Sequence, residues 1–179
     1  MARFSKKSIG ILGGSFDPAH SGHLKISTIA IKKIKLSQVL WIVTKQNPFK
    51  SGTYYSLTQR LSKAKKLVKN TKKIKVVHLE KATRSSRVIY SINYLINKKK
   101  LRNIYFIIGS DNLIEFHKWK SWKKIVKLVK LIVFSRKGYD TKSKKSKVAK
   151  YLKNKIIFIN NRPIKISSTK LRKRIKKNH

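Results

Sequence analysis

The sequence predicts a doubly wound α/β fold, with a mainly parallel sheet and helices on both faces. Short apolar runs alternate with amphipathic stretches along the whole chain, a pattern that implies parallel pairing through right-handed crossovers. No internal repeat interrupts this alternation, and no linker is long enough to split it. A length of 179 residues, 40% of them hydrophobic, suits one domain spanning 1–179. In such sheets ligands sit beyond the carboxyl ends of the strands, at the point where the topology switches direction. The segments that follow strands are therefore where chemistry is expected.

Residues 8–14 read as a buried strand running into a Gly-rich turn. Residues 21–35 follow as a helix, with Ile26, Ile29, Ala30 and Ile34 on one face. A second buried strand covers 38–44, and Asn47-Pro48 opens a loop reaching about Tyr55. Leu57, Leu61, Ala64 and Val68 mark the next amphipathic helix. A strand is expected at 74–79, a helix at 90–99, and an apolar strand at 104–108 that ends on Gly109. Two short helices are expected at 111–116 and 121–129, and strands at 131–134 and 156–159. A helix at 168–176 closes the chain, and the polar, Lys-rich segment 138–147 reads as a loop.

Composition removes several classes of function. There is no cysteine, which excludes disulfides, thiolate metal sites and Cys nucleophiles. No apolar stretch approaches the ~20 residues that span a bilayer. The basic-then-apolar start superficially resembles a signal peptide, but its apolar run breaks at Gly13 and Gly14. A cytoplasmic protein is expected. The balance of 47 Lys plus Arg against 5 Asp plus Glu, formally +42, attracts polyanions. Because the lysines are spread along the whole chain, this reads as compositional drift with incidental polyanion affinity.

Chemistry concentrates first in Gly13-Gly14-Ser15-Phe16-Asp17-Pro18-Ala19-His20-Ser21-Gly22-His23. Glycines admit an anion close to the backbone, and the helix that follows offers unpaired N–H groups and a positive dipole end. His20 and His23, one helical turn apart, can face the same phosphate and stabilise charge on a phosphoryl group in flight. The segment is neither a Walker P-loop nor a dinucleotide fingerprint, because the glycine spacing fits neither. Near the far end, Ile166-Ser167-Ser168-Thr169-Lys170-Leu171-Arg172 presents hydroxyls and free N–H groups at a helix start. An ordinary Ser-capped surface helix explains that segment taken alone equally well, although Arg172 could grip a second phosphate with its guanidinium fork. Asp111, beyond a strand's end, suits a hydroxyl partner, whereas Trp119 could be either core or a stacking platform.

The first segment resembles the HxGH-type signature of the nucleotidyltransferase superfamily. Its form G-G-x-F-D/N-P-x-H-x-G-H is that of the nicotinate-nucleotide adenylyltransferases, as is I-S-S-T-x-x-R for 166–172. Gly109-Ser110-Asp111, Phe116 to Trp119, Asn47-Pro48-Phe49-Lys50 and Tyr90-Ser91 resemble further family segments, so the resemblance runs from about residue 8 to 175. It implies a Rossmann-like nucleotidyltransferase fold that moves the adenylyl group of ATP onto nicotinate mononucleotide. It implies that ATP lies against Gly13, Gly14, Ser15, Phe16, His20, His23, Gly109, Asp111, Ser167, Ser168, Thr169 and Arg172. The mononucleotide would meet Asn47, Lys50, Tyr90, Ser91 and Trp119, with Trp119 stacked on the pyridine.

Under this resemblance His20, His23 and Arg172 are the catalytic groups, and magnesium arrives with ATP rather than in a protein-held site. Two departures touch the mononucleotide side. Residues 80–88 are longer than the family's corresponding stretch, and Ser91 stands where the family has Thr. Another phosphate acceptor, such as nicotinamide mononucleotide or phosphopantetheine, is the near alternative. A basic nucleic-acid-binding protein is the distant one, and it would leave the two phosphate signatures unexplained. His78 reads as structural, and His117 stays open.

Overall fold

Six parallel strands form the sheet in the computed structural model, which describes residues 8–46, 52–161 and 166–177. The strands are β1 (Ile9–Gly14), β2 (Gln38–Val43), β3 (Ile74–Val77), β4 (Ile104–Gly109), β5 (Lys130–Phe134) and β6 (Ile156–Ile159), ordered β3-β2-β1-β4-β5-β6. The helices are α1 (Ser21–Ile34), α2 (Leu57–Val68), α3 (Glu80–Thr83), α4 (Val88–Asn97), α5 (Ser110–Glu115), α6 (Trp122–Leu128), α7 (Asp140–Lys144), α8 (Lys147–Leu152) and α9 (Ser168–Lys177).

Successive side chains in a strand point to opposite faces, and the two faces bury different helices. Ile9, Ile11, Leu40, Ile42, Phe106 and Ile108 pack with Ile89, Ile92 and Leu95 of α4 and with Ile125 of α6. Leu12, Val39, Trp41, Val43 and Ile107 pack with Ala30 of α1 and with Ala64 and Val68 of α2. Strands covered on both sides read as unbroken apolar runs, which is why their positions were legible in the sequence.

Sheet register opens the crevice. β1 pairs with β2 as far as Gly14↔Val43, and β4 pairs with β5 as far as Gly109↔Phe134. Between β1 and β4 the pairing stops at Ile11↔Phe106. The carboxyl ends of β1 and β4 thus part at the switch point, where chain direction reverses across the sheet.

Three short helices lie where none was expected. Segment 138–147, read as a loop, contains α7 and the start of α8. Neither helix has a long apolar face; α8 is capped by Ser146, and α7 is tied through Asp140 to the residues that follow β5. Ser135 Oγ and the Arg136 N–H donate to Asp140, Ser143 Oγ donates to the Asp140 carbonyl, and the Ala149 N–H donates to Ser146 Oγ. α3 likewise lies within the stretch 80–88 that departs from the family pattern.

Candidate active site

The turn after β1 is held from below by a residue that the sequence did not mark. Arg60 of α2 is buried to 1% exposure and donates to four backbone carbonyls. These are Ser15 O and Thr44 O at 2.7 Å, Lys45 O at 2.6 Å and Tyr55 O at 3.1 Å. Burial lowers its pKa from the ordinary value, while Asp17 and Glu80 oppose that shift. Asp17, also buried, accepts the Tyr54 N–H at 2.7 Å and the Tyr55 N–H at 2.9 Å. Together these groups fasten the connections that follow β1 and β2 at the carboxyl end of the sheet.

Phe16 has a φ of 48° and a ring exposed to only 2%. The ring stacks on Trp41 at 5.0 Å and supports the His23 ring at 4.8 Å. Any contact of Phe16 with a nucleotide would therefore come from its backbone. A Cβ on Gly13 or Gly14 would find no atom nearer than 3.7 Å. The fold itself does not demand glycine there, and the bare backbone leaves room for a ligand to approach closely.

His20 caps α1, and the two imidazoles are fixed by a reciprocal pair of bonds. The Gly22 N–H donates to His20 Nδ1 at 3.1 Å, and the His20 N–H donates to His23 Nδ1 at 3.2 Å. With both Nδ1 atoms accepting, each neutral ring carries its proton on Nε2. The rings lie 3.9 Å apart. Burial, and then the positive charge of Arg136, lowers the His20 pKa to about 4. His20 is thus a neutral hydrogen-bond donor at physiological pH.

NMR of the imidazole should show His20 titrating near pH 4, and Arg136→Gln should move that midpoint upward. As pH falls from 6.5 toward 4, the unfolded chain takes up a proton that the folded one does not, so stability declines across that window. A wild-type midpoint near 6.5 would contradict this account.

Across the crevice, Asp111 of α5 accepts from Arg136 Nη1 at 2.5 Å through Oδ2. Its Oδ1 is buried with no hydrogen-bond partner. A Cβ on Gly109 would come within 2.5 Å of that same Oδ1, so only glycine allows the carboxylate its position. A buried acceptor without a donor, at the switch point, is what a ligand hydroxyl would satisfy. Arg136, just past β5, was not marked in the sequence; sheet order places it beside β4.

The two distant signatures meet. Ser168 Oγ donates to the Pro18 carbonyl at 3.0 Å, and Arg172 Nη1 donates to the Asp17 carbonyl at 2.6 Å. These contacts join residues 150 and 155 positions apart. Ser167 Oγ caps α9 by accepting the Lys170 N–H at 3.2 Å, and Arg172 Nη2 donates to Thr169 Oγ1 at 3.3 Å. Arg172 also lies 3.5 Å from Asp17 Oδ2.

The mononucleotide-side residues are placed unevenly. Tyr90 is 46% exposed on an open groove of about 660 Å³, which is also lined by Thr83, Arg84, Ser85, Ser86 and Arg87. Ser91 is buried in the first turn of α4. Trp119 is half-buried and stacks on Phe116 at 4.8 Å, with Phe106 edge-on at 6.0 Å. Asn47 and Lys50 lie outside the described residues. His78 Nδ1 lies 2.8 Å from the Val43 carbonyl and ties the end of β3 to β2, a structural role. His117 Nδ1 lies 2.9 Å from the Ile114 carbonyl of the preceding turn.

A family model described as cytidylyltransferase-like matches residues 11–174. A relative from Pelagibacter ubique, named probable nicotinate-nucleotide adenylyltransferase, is 50% identical over 169 residues, covering 94% of this chain and 93% of its own. The chain belongs to the nicotinate-nucleotide adenylyltransferases. A second relative of that name, from a Ruegeria species, is 30% identical and covers 93% of this chain and 97% of its own. Likeness of fold extends to the Plasmodium falciparum nicotinic acid mononucleotide adenylyltransferase solved in complex with NaAD. Its TM-score is 0.75 at 22% identity, over 93% of this chain and 83% of that one. Among the described residues no helix is long and apolar enough to cross a membrane.

Proposed function

We propose that this protein transfers the adenylyl group of ATP to nicotinate mononucleotide, giving nicotinate adenine dinucleotide and pyrophosphate. The observation that carries the reading is the docking of Ser168 and Arg172 onto the turn that presents His20 and His23. It gathers donors from both ends of the chain around one space, as a triphosphate tail requires.

An oxygen of the mononucleotide phosphate attacks the α-phosphorus of ATP. The new P–O bond forms in line as the bond to the β-phosphate oxygen breaks, and pyrophosphate leaves with the electron pair. No protein nucleophile takes part, so the enzyme contributes position and charge stabilisation. His20 and His23 donate from Nε2 to the phosphates around the reacting centre. Ser167, Ser168, Thr169 and Arg172 hold the outer phosphates, and Arg172 exchanges its carbonyl contact for a phosphate oxygen. Gly13, Gly14 and the backbone of Ser15 and Phe16 line the approach.

Asp111 Oδ1 accepts from a ribose hydroxyl against Gly109, and Arg136 is close enough to turn from Asp111 to a phosphate. Asn47, Lys50, Tyr90, Ser91 and Trp119 serve the acceptor. Among the described residues no three His, Cys, Asp or Glu side chains cluster to hold a metal ion. Magnesium enters as part of the substrate, carried in with the triphosphate.

The groove beside Tyr90 carries Arg84 and Arg87 and no acid, which favours an acidic pyridine ring over its amide. An acceptor panel with ATP and pyrophosphate detection tests the reading. Nicotinate mononucleotide is expected to be used at least about 10-fold more efficiently than nicotinamide mononucleotide, about 1.4 kcal/mol of discrimination. Equal use of both, or preference for phosphopantetheine, would overturn the choice of acceptor.

A further inference from the structure

The sequence spreads its lysines evenly, but the fold sorts the charge. In a parallel sheet with helical crossovers, every strand begins at one end of the molecule, and the crossover segments return the chain there. All five acidic residues fall at the opposite end. Asp17 lies between β1 and α1, Glu80 opens α3 after β3, Asp111 and Glu115 lie in α5 after β4, and Asp140 opens α7 after β5.

The amino end of the sheet carries exposed cations and no acid. Lys32, Lys33 and Lys35 lead into β2, and Lys69, Lys72 and Lys73 lead into β3. Lys98, Lys99, Lys100 and Arg102 lead into β4, Lys127 and Lys130 into β5, and Lys153 and Lys155 into β6. Individually each is an ordinary choice, since cations near helix C-termini interact favourably with the dipole. Collectively they form a row. Neighbouring strands are ~4.8 Å apart, so the entrances of six strands extend roughly 24 Å. A phosphodiester chain presents a phosphate about every 3.4 Å along each strand of a duplex and tracks basic grooves when single-stranded, so a row of that length can meet several phosphates. Tyr105, half-buried at the start of β4 with Lys130 Nζ 5.4 Å from its ring centroid, adds an aromatic surface to the row.

We infer that the amino end of the sheet is a docking surface for single-stranded nucleic acid, on the far side of the molecule from the nucleotide crevice. Recognition is through the phosphate backbone and carries no base sequence. The surface does not depend on which acceptor the crevice uses.

The test compares two charge-matched variants for binding a fluorescein-labelled oligouridylate by anisotropy across a salt series. One replaces Lys35, Lys72, Lys73, Lys100, Arg102 and Lys130 with Gln. The other replaces Lys120, Lys123, Lys124, Lys137, Lys142 and Lys145, exposed residues away from that row. The wild type is expected to bind with a salt slope near −0.7 per phosphate neutralised. The first variant should lose about 30-fold or more in affinity, and the second less than about 3-fold. Adenylyl transfer by the first variant should remain at the wild-type level, which also shows that it has folded.

Equal losses in the two variants would reduce the effect to net charge and overturn the proposal. So would wild-type binding no tighter than that of free polylysine segments of equal charge, or stronger association with phosphatidylserine vesicles that both variants retain. Should the first variant fail to fold, photo-crosslinking of bromouridine-substituted RNA to the wild type decides the matter. Crosslinked peptides should map to 98–105 and 126–131, and crosslinks confined to the crevice would refute the assignment.

Discussion

Replacing His23 with Ala is expected to lower turnover by about 100-fold or more while leaving the protein folded. Donors preset toward developing phosphate charge commonly contribute ~3 kcal/mol to the transition state, and a few kcal/mol is a factor of this size. His23 is preset in the required sense. Its Nδ1 is committed to the His20 N–H at 3.2 Å, and its ring is wedged between Phe16 at 4.8 Å and His20 at 3.9 Å. The ring needs no reorientation when the reaction occurs. His20 needs a different substitution, because it also caps α1 through Gly22 and a cap is worth about 1 kcal/mol. His20→Asn keeps a capping side chain and removes the Nε2 donor. Steady-state kinetics should show a kcat loss for both variants, and thermal melting should show little change for His20→Asn. Near-normal kcat in either would remove that histidine from the chemistry.

The crevice was readable from the sequence where its chemistry is local, and hidden where it is not. The Gly-rich turn and its histidines are one contiguous segment, so they could be marked as a candidate site without knowing the fold. The meeting of Ser168 and Arg172 with Pro18 and Asp17 could only be expected by family resemblance, because nothing local to either segment names the other.

Arg136 carried no local signal at all. It matters because the order β1-β4-β5 brings the end of β5 beside Asp111 and close enough to His20 to affect its charge. Arg60 was hidden differently. It falls on the inward side of α2, three residues after Leu57 and four before Ala64, yet it is one of 47 cations in the chain. Where basic residues are this abundant, charge stops being informative and only burial distinguishes the exceptional one. The short helices α3, α7 and α8 were missed for a related reason. None is long enough to show the apolar periodicity that marks longer helices; α8 is set instead by its Ser146 cap, and α7 by the bonds of Asp140 to Ser135 and Arg136.

Arg60→Met should destabilise the fold more than any substitution in the crevice, by about 3–5 kcal/mol, the range for breaking a buried charged network. The guanidinium serves the carbonyls of Ser15, Thr44, Lys45 and Tyr55 at the carboxyl end of the sheet. A methionine of similar length fills the space but donates nothing, so those carbonyls lose their partners together, and Asp17 loses a nearby positive charge. For a chain of 179 residues each kcal/mol moves the melting temperature by roughly 2–4 °C, giving a drop of about 10 °C. Arg60→Lys should recover little, because one ammonium cannot reproduce a planar fork that reaches several directions at once. The exposed Arg102→Met is the control and should move the melting temperature by no more than about 2 °C. Activity should fall with the melting temperature in Arg60→Met even below the transition. The loops fastened by Arg60 include the backbone of Ser15, which leads into the turn carrying Phe16 and, beyond it, both histidines. If Arg60→Met melts within about 2 °C of the wild type, the turn is held by Asp17 and the stacked aromatics instead.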